Sequence, residues 1–321
     1  MIKIGIIGYG NLGKGVELAV SKQPDMEVFA IFTRRDPETV KTNGSKVYNY
    51  DTIKDYKDDI DVLVHCGSSE FDLREQTPKL AQDFNIVDSF DMHAIINEHI
   101  KTVDKVANAN NKTALVSVGW DPGIFSMHKT IIDAILIDGE TQSFWGPGIS
   151  QGHSNVASKV DGVLMARNYS IPNQANIDAF RKHETIDTSQ NHHKECYVVA
   201  EADANLEQIE ADILNIEYYF KGSPTKIIFI SEEEMKTNHS KWAQAGQVIR
   251  VAKTSDENKY TLDFKMELDS NPEFTSSVLT AYARAVYNMH TRKEYGAFTA
   301  LDIRPRDMSS KDFDSLVKEM L

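Results

Sequence analysis

Three stretches of this sequence carry residue types whose spacing could do chemistry. They are a glycine triplet near the start, two aspartates at 91 and 121, and a tryptophan-containing, glycine-rich segment around 145. The triplet Gly8-x-Gly10-x-x-Gly13 follows the apolar run Ile4, Ile6, Ile7 and precedes a helical pattern through Val16, Leu18, Ala19 and Val20. Between a strand and a helix, the first glycine permits a tight turn and the second lets a pyrophosphate approach the backbone. The third lets helix and strand pack closely. The N–H groups opening the helix then hold phosphates; the competing reading is a turn without a ligand. Asp91 and Asp121 are carboxylates in polar loops that follow predicted strands. Each can be a turn or helix-capping residue, Asp121-Pro122 especially.

The elements that must position these groups alternate. A second strand at 26–33 ends in Thr33-Arg34-Arg35. An NAD site places an acidic residue about here for the ribose 2′-hydroxyl, whereas a hydroxyl and two guanidiniums suit a 2′-phosphate, so NADP is preferred. A solvated basic turn is the alternative, with Asp36 close by. A third strand at 61–66 leads into Gly67-Ser68-Ser69, a fourth at 85–88 into Ser89-Phe90-Asp91, and a fifth at 114–118 into Gly119-Trp120-Asp121-Pro122-Gly123. Helical stretches around 78–84 and at 94–109 separate them. This alternation predicts an α/β fold, a Rossmann-type doubly wound parallel sheet. All of these polar loops then lie at the carboxyl edge of the sheet, where open parallel sheets bind ligands.

Beyond a helix at 125–137 the texture changes. The segment 144–153 has aromatics, glycines and no clear period, and reads as an irregular binding loop. A helix is expected at 156–166 and a strand at 196–200. Leu206, Ile209, Ile213 and Ile216 share a helical face. Strands are expected at 226–230 and 247–251, and strict alternation over 260–268 demands a half-buried strand. These elements predict a mixed or antiparallel α+β domain at 124–271 for substrate binding and dimerisation, beside a dinucleotide-binding domain at 1–123. Phe274, Val278, Ala281, Ala285 and Met289 define an amphipathic helix. Residues 296–304 are ambiguous, and Ser310 is expected to cap a last helix. The segment 272–321 is expected to return to the first domain.

Composition narrows the class. The chain has 321 residues, 41% of them hydrophobic, and a net charge of -13. That length favours two domains, and the acidity argues against nucleic acid or an anionic membrane as partner. Cys66 and Cys196 lie far apart without a CxxC, so neither a disulfide framework nor a zinc site is indicated. No signal peptide and no membrane span are read, which points to the cytoplasm.

The motifs Gly8-Tyr9-Gly10-Asn11-Leu12-Gly13, Phe32-Thr33-Arg34-Arg35, Gly119-Trp120-Asp121-Pro122-Gly123, Phe144-Trp145-Gly146, Ser150-Gln151-Gly152-His153-Ser154 and Asn271-Pro272-Glu273-Phe274-Thr275 together resemble the meso-diaminopimelate dehydrogenase family over essentially the whole chain. The resemblance implies NADP-dependent oxidative deamination of the D-centre of meso-2,6-diaminopimelate. The products are L-2-amino-6-oxopimelate and ammonia, the pathway that of diaminopimelate and lysine biosynthesis, and the assembly a homodimer. It implies substrate contacts from Asp91, Asp121, Trp145, Gln151, Gly152 and Asn271, with Asp91 and Asp121 catalytic. Cofactor contacts are expected from Gly8, Tyr9, Gly10, Asn11, Leu12, Thr33, Arg34, Arg35, Cys66, Gly67, Ser68 and Ser69, and from Ser89, Phe90, Asp91, Trp120, Asp121, Pro122 and Gly123. The sequence departs from the family at the distal end of the substrate, where Thr, Arg and His are usual and Ser170, Lys194 and Gln244 stand. Lys does not replace the bidentate fork of Arg, and Gln lacks the charge that His can carry. The loop expected around 242–247 departs as well. His192-His193-Lys194-Glu195 reads as a solvated loop in preference to a metal site, and no metal is called for. Two further readings remain: a dehydrogenase for another D-amino acid, and a catalytically silent NADP-binding sensor.

Overall fold

The computed structural model describes residues 1–321, which form two compact units, Met1–Ser126 with Pro272–Leu321, and Met127–Asn271. In the first unit the strands are β1 (Ile2–Ile7), β2 (Met26–Thr33), β3 (Val47–Asn49), β4 (Val62–His65), β5 (Ile86–Asp88) and β6 (Thr113–Leu115). The helices are α1 (Asn11–Ser21), α2 (Arg74–Leu80) and α3 (Ile96–Ala109). Helix α4 (Ile124–Ile135) crosses from the first unit to the second, so the boundary falls inside a helix rather than ahead of it. The second unit contains β7 (Gly139–Trp145), β8 (Gly148–Ser150), α5 (Gln151–Ala157), β9 (Val163–Pro172), α6 (Gln174–Arg181), β10 (His192–Ala200), α7 (Leu206–Leu214), β11 (Thr225–Phe229), α8 (Glu232–Asn238), β12 (Gln244–Lys253) and β13 (Lys259–Leu268). Helix α9 (Asn271–Thr291), β14 (Gly296–Phe298) and α10 (Phe313–Met320) complete the chain.

The first unit is built on one seven-stranded sheet in the order β14-β6-β5-β4-β1-β2-β3, all of whose pairs are parallel. Read from β3, the first six strands follow the 3-2-1-4-5-6 order of doubly wound dinucleotide folds. Strands β1 and β4 are apolar and buried on both faces, as a sheet covered by helices on both sides requires. Strand β3 is short and only partly buried, and β14 has three residues. Neither carries enough apolar pattern to announce itself, and both escape the sequence reading for that reason.

The second unit holds two sheets. One has the order β11-β10-β9-β8, with β10 and β11 parallel and the other pairs antiparallel. The other is the antiparallel β13-β12-β7. Phe144, Ile177, Phe180 and Ile249 form a core in which α6 meets the three-stranded sheet. Several local expectations are corrected here. Residues 144–153 are not irregular: they end β7, form β8 and begin α5. Residues 156–166 are not a helix, because α5 ends at Ala157 and β9 starts at Val163. The reason lies in Ser154 and Ser158, four apart on α5. Their hydroxyls accept the β9 N–H groups of Asn168 and Ala166 at 2.9 and 3.0 Å, so one turn of helix continues the ladder that β8 began. In the first unit Asp312, not Ser310, caps the last helix by accepting from Ser315 N–H at 2.8 Å.

Candidate active site

The glycine loop of the first unit is fixed on two sides. Gly8 N–H donates to Phe32 O at 2.9 Å, and Cys66 N–H donates to Ile7 O at 2.8 Å. A Cβ on Gly13 would lie 2.1 Å from Gly8 O, so α1 could not pack this close with any other residue. Gly10 is the N-cap of α1, makes no side-chain cap, and has open space where a Cβ would stand. An uncapped helix N-terminus under a glycine with nothing above it fits a pyrophosphate. Behind it the Tyr9 side chain is buried, and its hydroxyl donates to Glu17, a carboxylate 3% exposed. Burial pushes the Glu17 carboxyl up, but donors from Ser45, Tyr9 and Asn43 outweigh it and leave the pKa lowered.

Arg34 and Arg35 both stand exposed after β2. Arg34 pairs with Asp72 at 2.8 Å, and Arg35 donates to Tyr9 O at 2.7 Å, which ties the basic turn to the glycine loop. Thr33 is buried, and its Oγ1 accepts the Arg35 N–H at 3.2 Å, which leaves the hydroxyl proton as a donor. The side chains of Leu12 and Phe90 are likewise buried, so any cofactor contact they make is through the backbone. Burial pushes the Cys66 thiol up, which keeps it protonated and unreactive.

The two aspartates sit in loops after neighbouring strands, β5 and β6. Ser69 donates to Asp91 Oδ1 at 2.6 Å and accepts the Asp91 N–H at 3.0 Å, fixing that carboxylate against the loop after β4. Ser68 N–H donates to Asp72 Oδ2 at 2.9 Å in the same loop, beside Gly67. Asp121 lies in a closed turn. Gly123 has φ +135°, and a Cβ there would fall 1.9 Å from Gly119 O. Ile124 N–H donates to Gly119 O, and Trp120 packs edge-on against Phe125 at 5.2 Å. Ser89 and Pro122 are partly exposed in these same loops.

The second unit gathers its candidates around β8. Ser170 and Lys194 are cross-strand partners in β9 and β10, and Gly148 of β8 pairs with Ser170 on the other side. Ile149 N–H donates to Ala243 O at 2.8 Å, just ahead of Gln244, while Asn271 Nδ2 reaches Ile149 O at 3.4 Å. Gln151 and Gly152 are the first two residues of α5. Trp145 N–H donates to His192 Nε2 at 2.7 Å, and the two rings stack at 4.9 Å.

Two expectations are overturned in this unit. His192, Lys194 and Glu195 belong to strand β10 and are not a solvated loop, and Gln244 opens strand β12, with its side chain buried. His192 accepts through Nε2, and burial together with Lys194 and His193 pushes its pKa down to about 4, so the ring is neutral with its proton on Nδ1. Lys194 Nζ donates to Tyr219 O and to Ser223 Oγ, the latter at 3.0 Å. Burial pushes its pKa down to about 8.

Four residues the sequence reading passed over belong to these networks: Glu17, Asp72, Asp88 and His99. Each is a polar or charged side chain among buried neighbours. His99 and Val103, four apart, share the buried face of α3, and Glu17 follows Val16 on the buried face of α1. A polar residue on an apolar helical stripe was the available signal.

A glycine loop at the switch of a 3-2-1-4-5-6 sheet, an uncapped helix N-terminus and carboxylates at the same strand ends define a dinucleotide-binding dehydrogenase. The comparisons narrow the class. The profile of the diaminopimelic acid dehydrogenase C-terminal domain matches residues 119–270. A meso-diaminopimelate D-dehydrogenase of Ureibacillus thermosphaericus is 45% identical over 323 aligned residues, covering 100% of this chain and 99% of that one. The solved Corynebacterium glutamicum DAP dehydrogenase in complex with DAP is 37% identical, covers 100% of this chain and 99% of its own, and superposes with a TM-score of 0.94. An engineered D-amino acid dehydrogenase bound to NADP+ gives 0.95 at 37% identity, with 100% and 99% covered. The chain belongs to the meso-diaminopimelate D-dehydrogenase family, whose members are nicotinamide-dependent amino-acid oxidoreductases.

Proposed function

We propose that the protein oxidises the D-configured centre of meso-2,6-diaminopimelate with NADP+, releasing L-2-amino-6-oxopimelate, ammonia and NADPH. The observation that carries this reading is the pair Asp91 and Asp121, in loops after adjacent parallel strands of a nucleotide-binding sheet. When bound, the nicotinamide supplies the hydride acceptor; the remaining tasks fall to the chain. Gly8 to Leu12 and the α1 N-terminus hold the pyrophosphate, with Arg34 and Arg35 on the 2′-phosphate. Asp91 and Asp121 bind the reacting ammonium and take up the proton released as the imine forms and water replaces it. The hydroxyl of Ser69 steadies Asp91 as the anion this requires. Trp145, Gln151, Gly152 and Asn271 contact the substrate, and Ser170, Lys194 and Gln244 take the distal carboxylate. The same reading makes the protein a cytoplasmic homodimer acting in diaminopimelate and lysine biosynthesis; no helix is long and apolar enough to cross a membrane.

One observation favours a second reading, a dehydrogenase for D-amino acids lacking the distal carboxylate. Lys194 already spends two of its three donors on Tyr219 and Ser223. The purified protein is assayed with NADP+ and NAD+ against meso-diaminopimelate and a panel of D-amino acids, with ammonia measured. A higher kcat/KM for meso-diaminopimelate with NADP+ is expected. A clear preference for a monocarboxylate favours the second reading, and no turnover with cofactor bound refutes both.

A further inference from the structure

Asp88, the last residue of β5, has no exposed surface, and its carboxylate is bonded on every side. Oδ1 accepts from Phe90 N–H at 3.1 Å and from Ser117 N–H at 2.9 Å, while Oδ2 lies 2.8 Å from His99 Nε2. The Asp88 carbonyl accepts Val118 N–H at 3.1 Å. The His99 ring, brought by α3, stacks on Phe90 at 4.1 Å and 17°. Phe90 immediately precedes Asp91, and Ser117 lies on the stem of the turn that carries Asp121, at a left-handed φ of 56°.

The ladder between β5 and β6 pairs Ile86 with Ala114 and Val87 with Leu115, and there the regular pairing stops. Beyond it, one carboxylate oxygen holds the backbones of both outgoing loops. A buried charge is an expensive way to join two segments. An apolar side chain of similar volume commonly stabilises a core as well or better, and this network carries a further cost, since His99 Nδ1 is buried without a hydrogen-bond partner. Burial pushes the Asp88 carboxyl up, yet His99 and the Ser117 and Phe90 N–H groups outweigh it and hold it low. The arrangement therefore does something a valine at the strand end would not.

We propose that Asp88 and His99 form a buried clasp that fixes the loop bearing Asp91 relative to the loop bearing Asp121, and are positioning residues for amine oxidation. The proposal rests on the roles given above to Asp91 and Asp121. Asp88 sets the spacing of the two loops; His99 holds Asp88 in place from behind and pins Phe90 by stacking. Neither touches substrate.

The test uses the full-length protein with two disruptive variants, Asp88→Ala and His99→Leu, and two conservative ones, Asp88→Asn and His99→Gln. Asp88→Asn keeps an acceptor for the two N–H groups, and His99→Gln keeps a donor to Asp88. Misplacing reacting groups by about 1 Å costs on the order of a hundredfold. That fall in kcat with meso-diaminopimelate is expected for the disruptive pair, with recovery to within about tenfold of wild type in the conservative pair. NADP+ affinity, titrated by fluorescence, should fall by a clearly smaller factor than kcat, because the glycine loop and Arg34-Arg35 are untouched and only the cofactor contacts of the loops at 89–91 and 120–123 shift with the clasp. The isotope effect on kcat for substrate deuterated at the D-centre should rise in the disruptive variants, which a smaller folded fraction cannot produce. A near wild-type kcat in folded disruptive variants, or a kcat loss that merely tracks the folded fraction with no isotope effect change, overturns the clasp. If Asp88→Ala does not fold, the His99 pair decides, since it leaves both N–H bonds of Asp88 in place. Asp91→Asn and Asp121→Asn are measured alongside. If they retain activity, the functional reading itself falls; if they lose it while the clasp variants do not, only the clasp falls.

Discussion

Lys194 should make substrate preference depend on pH. Its ammonium is held by Tyr219 O and Ser223 Oγ, which leaves one N–H for a distal carboxylate, and burial sets its pKa at about 8. The sign follows directly: the cation is present below that value and is lost as pH rises through it. One unit above, about a tenth of the molecules carry the charge. A single hydrogen bond to a charged group contributes about 1.5–3 kcal/mol, a factor of about ten to a hundred in binding. The ratio of kcat/KM for meso-diaminopimelate to that for D-alanine should therefore fall from about pH 8 upward, by about a decade per unit, to a floor about ten- to a hundredfold lower. Taking the ratio cancels titration of the reacting amine and of the aspartates. Lys194→Met removes the cation and should give a low, flatter ratio at every pH, so any remaining slope belongs to the substrate's second amino group. Lys194→Arg keeps its charge throughout and should abolish the step near pH 8. A wild-type ratio that stays level through pH 8, or a step of equal size in Lys194→Met, would refute the reasoning.

The other expectations concern the first unit. Replacing Arg34 or Arg35 by Ala should raise KM for NADP+ about ten- to a hundredfold by removing charge-assisted bonds, and leave KM for NAD+ within about threefold; equal losses would show that these arginines do not read the 2′-phosphate. Gly13→Ala places a methyl 2.1 Å from Gly8 O, a backbone atom with little room to yield. A loss of about 1–3 kcal/mol in urea unfolding is expected, together with weakened NADPH binding, and an unchanged unfolding midpoint would contradict it. Glu17→Gln can keep its carbonyl oxygen on the N–H groups of Asn43 and Ser45, which Glu17 Oε1 accepts at 3.1 and 3.3 Å, but it puts an amide donor where Oε2 accepts from the Tyr9 hydroxyl and removes the charge. It should cost about 1–3 kcal/mol at neutral pH. Because the folded-state pKa of Glu17 is lowered, that contribution is present above the unfolded value of about 4.3 and lost as pH falls through the folded value. The difference between variant and wild type should thus shrink in acid; a gap that persists there would place its origin elsewhere.

How much of this was legible beforehand follows from what each element needs. The parallel sheet needs apolar runs buried on both faces, and those of β1, β2 and β4 are plain in the sequence, as is the alternation of β13. Short edge strands need only a few hydrogen bonds and little burial, so β3 and β14 left no pattern to find. Around β8 the local reading failed for a different reason. A segment of glycines and serines became strand and helix because β9 supplies the partner for β8 and takes hydroxyls from α5 as if they were carbonyls. That is a tertiary cause, invisible in a local window. His192 and Lys194 looked solvated because polar residues at a strand end are usually wet. They are drawn in by the Trp145 backbone in one case and by Tyr219 and Ser223 in the other. The same logic separates the two kinds of site residue. Glycines and the loop aspartates declare themselves, because the backbone geometry that needs them is local. Asp88 and His99 do not, because each acts through a contact outside its own element, Asp88 on Ser117 in the next strand's loop and His99 on Phe90 ahead of its helix. A buried acid at the end of a parallel strand, with a histidine on the following helix at the depth of its apolar stripe, is the pattern by which such a pair can be sought in sequence.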